Sequence, residues 1–371
     1  MTLHADHIGS LLRPPELLEA RAAHDRGDLG DEALERAEDD AIIAALEVQR
    51  GAGLQIFSDG EYRRSWFAGG LPSVIDGLVD NDEAISLQWE GAGSSAATKV
   101  TTEVKLGTSR AARRLSTTGR IAEKEVTFLR EHSPGPFKAT MTGALHFVRD
   151  WYRPGATDAY PDTTSMIDHI VEMMAEEVAQ LSQEGISYMQ LDSLLYVIPA
   201  PAAMLSDEGL SREAILDAMI DADNAVLAPA RAAGITTALH MCRGNNRSSW
   251  IAAGDSYEST AEQAFSRLEV DRLLLEYDTE RAGGFAPLRF VPDSTTVVLG
   301  LISSKFPELE SRDGLLARIE EATEFVPIER LGLSPQCGFA STAPGNLITW
   351  DDQQRKLELV VSVADEVWGR S

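Results

Sequence analysis

The sequence predicts an α/β fold: a (β/α)8 barrel carrying a hairpin and helical arm inserted after its second strand. Two observations carry this. Short β-branched or apolar runs alternate with longer stretches of helical period, and eight such runs occur in 371 residues. A third observation removes the main competitor, since no glycine-rich dinucleotide fingerprint follows the first run, as a doubly wound nucleotide fold would require. The expected organisation is one domain over residues 1–371, interrupted at about 71–136.

The runs are Ala5–Ser10, Leu54–Asp59, Phe137–Thr142, Tyr188–Asp192, Thr236–Cys242, Leu273–Tyr277, Thr295–Leu301 and Leu331–Gln336. Between them, Met166–Leu181 spaces Ile167, Ile170, Val171, Met174, Val178 and Leu181 three and four apart, with Gly185 beyond its end. Asp313 is the expected N-cap of a helix that uses Leu316, Ile319, Ala322 and Phe325 and stops at Pro327. Asp351 is expected to begin the last helix, with Leu357, Val360, Val361 and Ala364 facing inward. The stretch from Leu71 to Pro136 is longer than a strand-to-helix connection needs. Its alternating Lys99–Lys105 and helical Ile121–Leu129 mark the arm.

Composition narrows the function classes. At 43% hydrophobic and 25% charged residues the chain is ordinary globular protein. Its 33 Lys plus Arg against 59 Asp plus Glu give a net charge of −26, which phosphate backbones and anionic lipid surfaces repel. Neither a nucleic-acid nor a membrane partner is therefore expected. Cys242 and Cys337 are too few for a disulfide framework, and the first residues lack a secretory leader, so a cytoplasmic location is expected.

In such a barrel the reactive groups sit where the strands end. Here those ends hold Ser10, Asp59 and Glu61, Asp192, His240 and Cys242, Glu276, and Cys337. His240 and Cys242 are one residue apart, so on an extended strand they point the same way and can bind one ion, with Glu276 and Cys337 approaching from other strands. A set of one nitrogen, two sulfurs and one oxygen suits zinc, whereas calcium or magnesium would take oxygens. The same residues also read as a buried histidine beside two inert core thiols. Glu61 and Asp192 equally fit helix caps or partners for Arg63 and Arg64, and Trp66, Trp151 and Trp250 fit packing roles.

Taken in order, HIGSLLRP at His7–Pro14, DGEYRR at Asp59–Arg64, MQLDS at Met189–Ser193, HMCRGN at His240–Asn245, LLLEYDTERAG at Leu273–Gly283 and SPQCG at Ser334–Gly338 form a pattern. The chain resembles the cobalamin-independent methionine synthases, as a stand-alone version of their C-terminal catalytic barrel. The resemblance implies that His240, Cys242, Glu276 and Cys337 bind catalytic zinc and that Ser10, Glu61 and Asp192 hold homocysteine. It implies methyl transfer from 5-methyltetrahydrofolate, or another methyl donor, to the homocysteine thiol, giving methionine. Two carboxylates suit an α-ammonium and a serine hydroxyl suits an α-carboxylate, which leaves the thiol free to face the metal.

Three departures stand against that pattern. The full-length synthase has a second, N-terminal barrel that helps shape the folate site; its work here would fall to a helper protein or to a second copy of the chain. The family histidine proposed as proton donor is replaced by Gly300–Lys305, leaving the general acid unassigned among His146, Asp278 and Lys305. The family T-G-P-V-T reads Thr142-Gly143-Ala144-Leu145-His146. Competing readings are alkyl transfer to another thiol such as coenzyme M, a non-catalytic zinc site, and a metal-free barrel decarboxylase or aldolase. The last lacks a Schiff-base lysine at a strand end and a late phosphate-gripping loop.

Overall fold

The computed structural model describes residues 3–81, 85–92, 99–106, 108–197, 211–251 and 256–369. In the arm lie β1 (Ile75–Asp80), β2 (Ile85–Ala92), β3 (Lys99–Leu106) and β4 (Ser109–Thr117). They are followed by β5 (Lys138–Thr142), β6 (Tyr188–Ser193), β7 (Thr236–Met241), the short β8 (Ser249–Ile251), β9 (Arg272–Glu276), β10 (Thr296–Ile302) and β11 (Leu331–Pro335). One parallel sheet of six strands runs in the order β11-β10-β9-β7-β6-β5. Every residue of β5, β6, β9 and β11 is buried, as expected of parallel strands covered on both faces.

These six strands match the last six expected runs to within about a residue at each end. The first two runs do not form strands. Ala5–Ser10 contributes a single parallel bridge, Ala5 to Leu333 beside β11, and Leu54–Asp59 another, Phe57 to Phe137 at the start of β5. The described ladders are therefore a six-stranded parallel sheet and not the complete eight-stranded barrel expected. The physical reason lies in side chains that replace ladder bonds between the two segments. His7 Nε2 donates to the Ile56 carbonyl at 3.2 Å, and Ser58 Oγ donates to the Gly9 carbonyl at 2.8 Å, where Gly9 has a φ of +138°.

Ile8, Ile56, Tyr188, Ala238, Leu274 and Val298 form a core cluster separate from the larger one that the remaining apolar side chains build. Successive strand side chains alternate faces, so two residues further along the same strands stand Gln190, His240, Glu276 and Gly300. Polar chemistry thus sits one level above a closed apolar layer.

The helix Thr163–Gln183 contains the expected Met166–Leu181; Asp162 caps it by accepting the Ser165 N–H, and Gly185 follows with φ +96°. Two caps differ from expectation. Ser311, not Asp313, caps Arg312–Ala322, and Phe325 lies beyond that helix. Thr349, not Asp351, caps Trp350–Trp368, in a capping box with Asp352. In both, a hydroxyl takes the cap and the acid moves into the first turn, where the helix dipole favours it.

In the arm, β1 pairs antiparallel with β4 and β2 with β3, and Glu123–His132 is helical. The other edge of β2 pairs with β8, which sets Trp89 opposite Ile251. The arm is thereby tied to the loop that follows β7. Among the described residues, no helix is long and apolar enough to cross a membrane.

Candidate metal centre and the cavity beside it

His240 lies on β7 and Cys242 directly follows it, Glu276 ends β9, and Cys337 follows β11. One donor atom from each lies within 4.8 Å of all the others, and all four side chains are buried. Tyr257 clamps the two neighbouring strands, its hydroxyl donating to the Met241 carbonyl and accepting the Glu276 N–H, both at 2.9 Å. The Arg243 N–H, at 3.0 Å, anchors the Glu276 carboxylate, and the Gly244 N–H, at 3.3 Å, faces the Cys242 sulfur.

The two sulfurs are 3.5 Å apart, and His240 Nε2 is 4.0 Å from Glu276 Oε1. His240 Nδ1 sits 3.0 Å from the Leu274 carbonyl. A carbonyl only accepts, so Nδ1 carries a proton, and Nε2 is the nitrogen that would offer a lone pair to a metal. That Nε2 is buried and has no hydrogen-bond partner. An orphaned imidazole nitrogen aimed among two thiols and a carboxylate fits a bound divalent ion of the zinc type.

The electrostatics agree. The hydrogen bond between the sulfurs draws the Cys337 thiol well below its ordinary value, with His240 assisting, and the same bond together with burial pushes Cys242 well above. Burial disfavours the His240 imidazolium, but Cys337, Asp192 and Glu276 outweigh burial and carry it up to about 9. Burial pushes Glu276 up to about 7. A divalent ion would favour the deprotonated form of each of these donors.

Ser10, Glu61, Asp192, His240, Cys242 and Cys337 line one cavity of about 100 Å3; Glu276 stands behind it in the donor cluster. Ser10 packs so closely on the loop after β11 that a Cβ at Gly338 would lie 1.8 Å from its Oγ. Glu61 adopts a left-handed backbone (φ +61°), its N–H donating to Asp59 Oδ1 at 3.0 Å. Its Oε1 accepts from Thr140 Oγ1 at 2.9 Å and pairs with Arg64 at 3.2 Å, so it does hold a mouth arginine. Asp192 Oδ1 accepts from Gln190 at 2.8 Å. Burial lifts Asp192 to about 7, Glu61 adding to the effect, and burial raises Glu61 as well.

The three candidate proton donors are outside the cavity lining, although Lys305 is near enough to the donor cluster to act on Glu276 and Cys337. Among the described residues lining the cavity, His146, Asp278 and Lys305 are absent. His146 accepts the Leu194 N–H at Nε2 and packs edge-on to Phe67, which itself lines the cavity. Sequence reasoning missed Trp89, Phe67 and Arg149 in the cavity wall and assigned Trp66 to packing. Trp89 enters only through the β2–β8 pairing. A Cβ at Gly244 (φ +95°) would meet its ring at 3.0 Å, which sets the indole against the Cys242 loop. No local pattern in the sequence signals that contact.

The family model of the cobalamin-independent synthase catalytic domain matches residues 3–366. YxjG of Bacillus subtilis, a protein of uncharacterised function, is 34% identical over 374 residues, covering 98% of this chain and 94% of YxjG. The 5-methyltetrahydropteroyltriglutamate–homocysteine methyltransferase of Nitratidesulfovibrio vulgaris is 25% identical; the match covers all of this chain (100%) and 42% of that enzyme. Among solved structures, a candidate vitamin-B12-independent methionine synthase from Listeria monocytogenes superposes with a TM-score of 0.75 at 27% identity, covering 99% of this chain and 98% of that one.

Proposed function

The chain belongs to the cobalamin-independent methionine synthase family, and on that premise we propose that it is a zinc-dependent methyltransferase that converts homocysteine to methionine. One observation carries the reading: the four-donor cluster and the Ser10, Glu61 and Asp192 set converge on one cavity. His240, Cys242, Glu276 and Cys337 would hold the zinc. When bound, zinc supplies a deprotonated acceptor thiol at neutral pH, where a free thiol of pKa about 8.5 is mostly protonated.

The remaining steps belong to the chain's own side chains. Glu61 and Asp192 take the α-ammonium, whose positive charge returns both buried carboxyls to the ionised form. The Ser10 hydroxyl takes the α-carboxylate. Two unpaired buried thiols suit a reducing, cytoplasmic setting. With a methylated folate as donor, the leaving nitrogen needs a proton from a group within hydrogen-bond reach.

The test is zinc content and its protection. Purified protein is expected to carry about one zinc per chain and to lose it to a mild chelator more slowly with homocysteine present. Protection by coenzyme M equal to that by homocysteine, unchanged in Glu61→Ala, would transfer the reading to a different thiol. A zinc-free protein would overturn it.

A further inference from the structure

The cavity wall identifies the other substrate, on the premise that the chain is a thiol methyltransferase. Three aromatic side chains, Trp66, Phe67 and Trp89, line the same cavity as the donor cluster. Trp66 and Phe67 stand 5.4 Å apart at 77°, in a T-shaped contact that inclines the two rings to each other. Trp89 arrives from the arm and rests against Gly244, two residues beyond Cys242. Mutually inclined aromatic faces attract a positively charged methyl group through their quadrupoles.

The guanidinium in the wall does not oppose a cationic ligand: Arg149 is held by its neighbour Asp150 through two bonds of 2.7 and 3.0 Å. Space points the same way: about 100 Å3 is small beside the ~300–1,000 Å3 of pockets that enclose drug-sized ligands. A compact donor head fits beside the acceptor better than a fused ring with a long tail.

Leaving-group chemistry supplies the third argument. An amine that departs from a neutral N-methyl compound must be protonated; among the described residues, His146, Asp278 and Lys305 are outside the wall, and the wall's carboxyls, Glu61 and Asp192, are taken by the acceptor's ammonium in the reading above. An onium donor needs no proton. The thiolate's electron pair forms the new carbon–sulfur bond, the old bond's pair returns to the onium atom, and a neutral thioether or tertiary amine leaves.

We propose that Trp66, Phe67 and Trp89 cage the methyl group of a small onium compound, a sulfonium or quaternary ammonium, and that this compound is the methyl donor. Trimethylsulfonium, glycine betaine and 5-methyltetrahydrofolate are offered separately to zinc-loaded protein with homocysteine, and methionine is measured. With the sulfonium, dimethyl sulfide is measured too. The expected result is methionine from at least one onium donor, the sulfonium and ammonium arms telling which, with kcat/KM falling at least tenfold in Trp89→Leu and much less in Trp89→Phe. Methionine from the folate alone would overturn the onium proposal while leaving the homocysteine reading standing. If no donor yields methionine, trimethylsulfonium titration of tryptophan fluorescence decides the cage separately. A saturable change lost in Trp89→Leu supports it, and no change overturns it.

Discussion

Two polar layers are buried inside this sheet, and they are built on opposite terms. At the strands' N-terminal end, Lys138, Tyr188 and Arg272 converge on Asp6. The ammonium donates to Asp6 Oδ1 at 2.9 Å, to Gln190 at 3.0 Å and to the His7 carbonyl; Tyr188 donates to Asp6 Oδ2 at 3.1 Å, and Arg272 pairs with it at 3.3 Å. Lys138 and Asp6 expose no side-chain surface. At the C-terminal end, two thiols, an imidazole and several carboxyls crowd together, with His240 Nε2 left bare. The lower layer is closed on a Lys138–Asp6–Arg272 charge cluster, and the upper one gathers metal-type donors and carboxyls around His240. Buried charges that pair with one another hold the fold, and a cluster of metal-type donors around an unpartnered nitrogen marks where a ligand belongs.

Removing one member of each layer should therefore have opposite consequences. Lys138→Met leaves Asp6 without its main counter-charge and is expected to cost about 3–5 kcal/mol in chemical denaturation, because the uncompensated carboxylate stays buried. Adding Asp6→Leu to it should recover much of that loss. Cys337→Ser is expected to abolish zinc retention and turnover while shifting the chelated protein's unfolding free energy by less than about 1 kcal/mol. If the serine variant instead unfolds without cooperativity, the upper layer is structural and the contrast collapses.

The layers should also respond to pH with opposite sign. Burial works against the charge on Asp6, but Lys138 and Arg272 outweigh it, so its pKa is lowered. Its contribution is present above the ordinary carboxylate value and disappears as pH falls through the folded value. Asp192 is raised to about 7 by burial. Its folded-state proton stabilises the chain below the ordinary value, and that stability is lost as pH climbs toward 7. In chelated protein at pH 8, Asp192→Asn should be more stable than wild type by at least about 1.4 kcal/mol, the worth of one pKa unit. Denaturation midpoints across pH 4–8 that run parallel in the two proteins would remove this assignment.

How much of this could be read from the chain follows the range of the interactions. β5, β6, β7, β9, β10 and β11 were readable because each is a short apolar run and carries its own signal. Ala5–Ser10 and Leu54–Asp59 look the same locally. Two of their carbonyls, Ile56 and Gly9, are however taken by the His7 and Ser58 side chains, and a run of letters does not show where side chains bond. Alternation along strands plus a shared mouth suggested the donor set but left it open against a buried histidine beside two core thiols, and the family pattern singled it out. Trp89 was not readable, because its place depends on a pairing with residues 249–251, more than a hundred positions away.

Gln190 belongs to both layers and so measures whether they are coupled. Its Oε1 accepts from Lys138 at 3.0 Å, while its Nε2 donates to Asp192 at 2.8 Å and to the Ile8 carbonyl at 2.6 Å. In Gln190→Met, Lys138 keeps Asp6, so the stability cost should be about 3 kcal/mol, the worth of the three buried hydrogen bonds removed. Asp192, by contrast, loses its fixed donor and with it a defined orientation. A carboxylate that must be reoriented binds an ammonium more weakly, so homocysteine protection of the zinc should require several-fold more homocysteine, while zinc content stays near one per chain. Unchanged protection would mean that the upper layer positions its acceptor without help from below, and that the two layers share a strand but no energy.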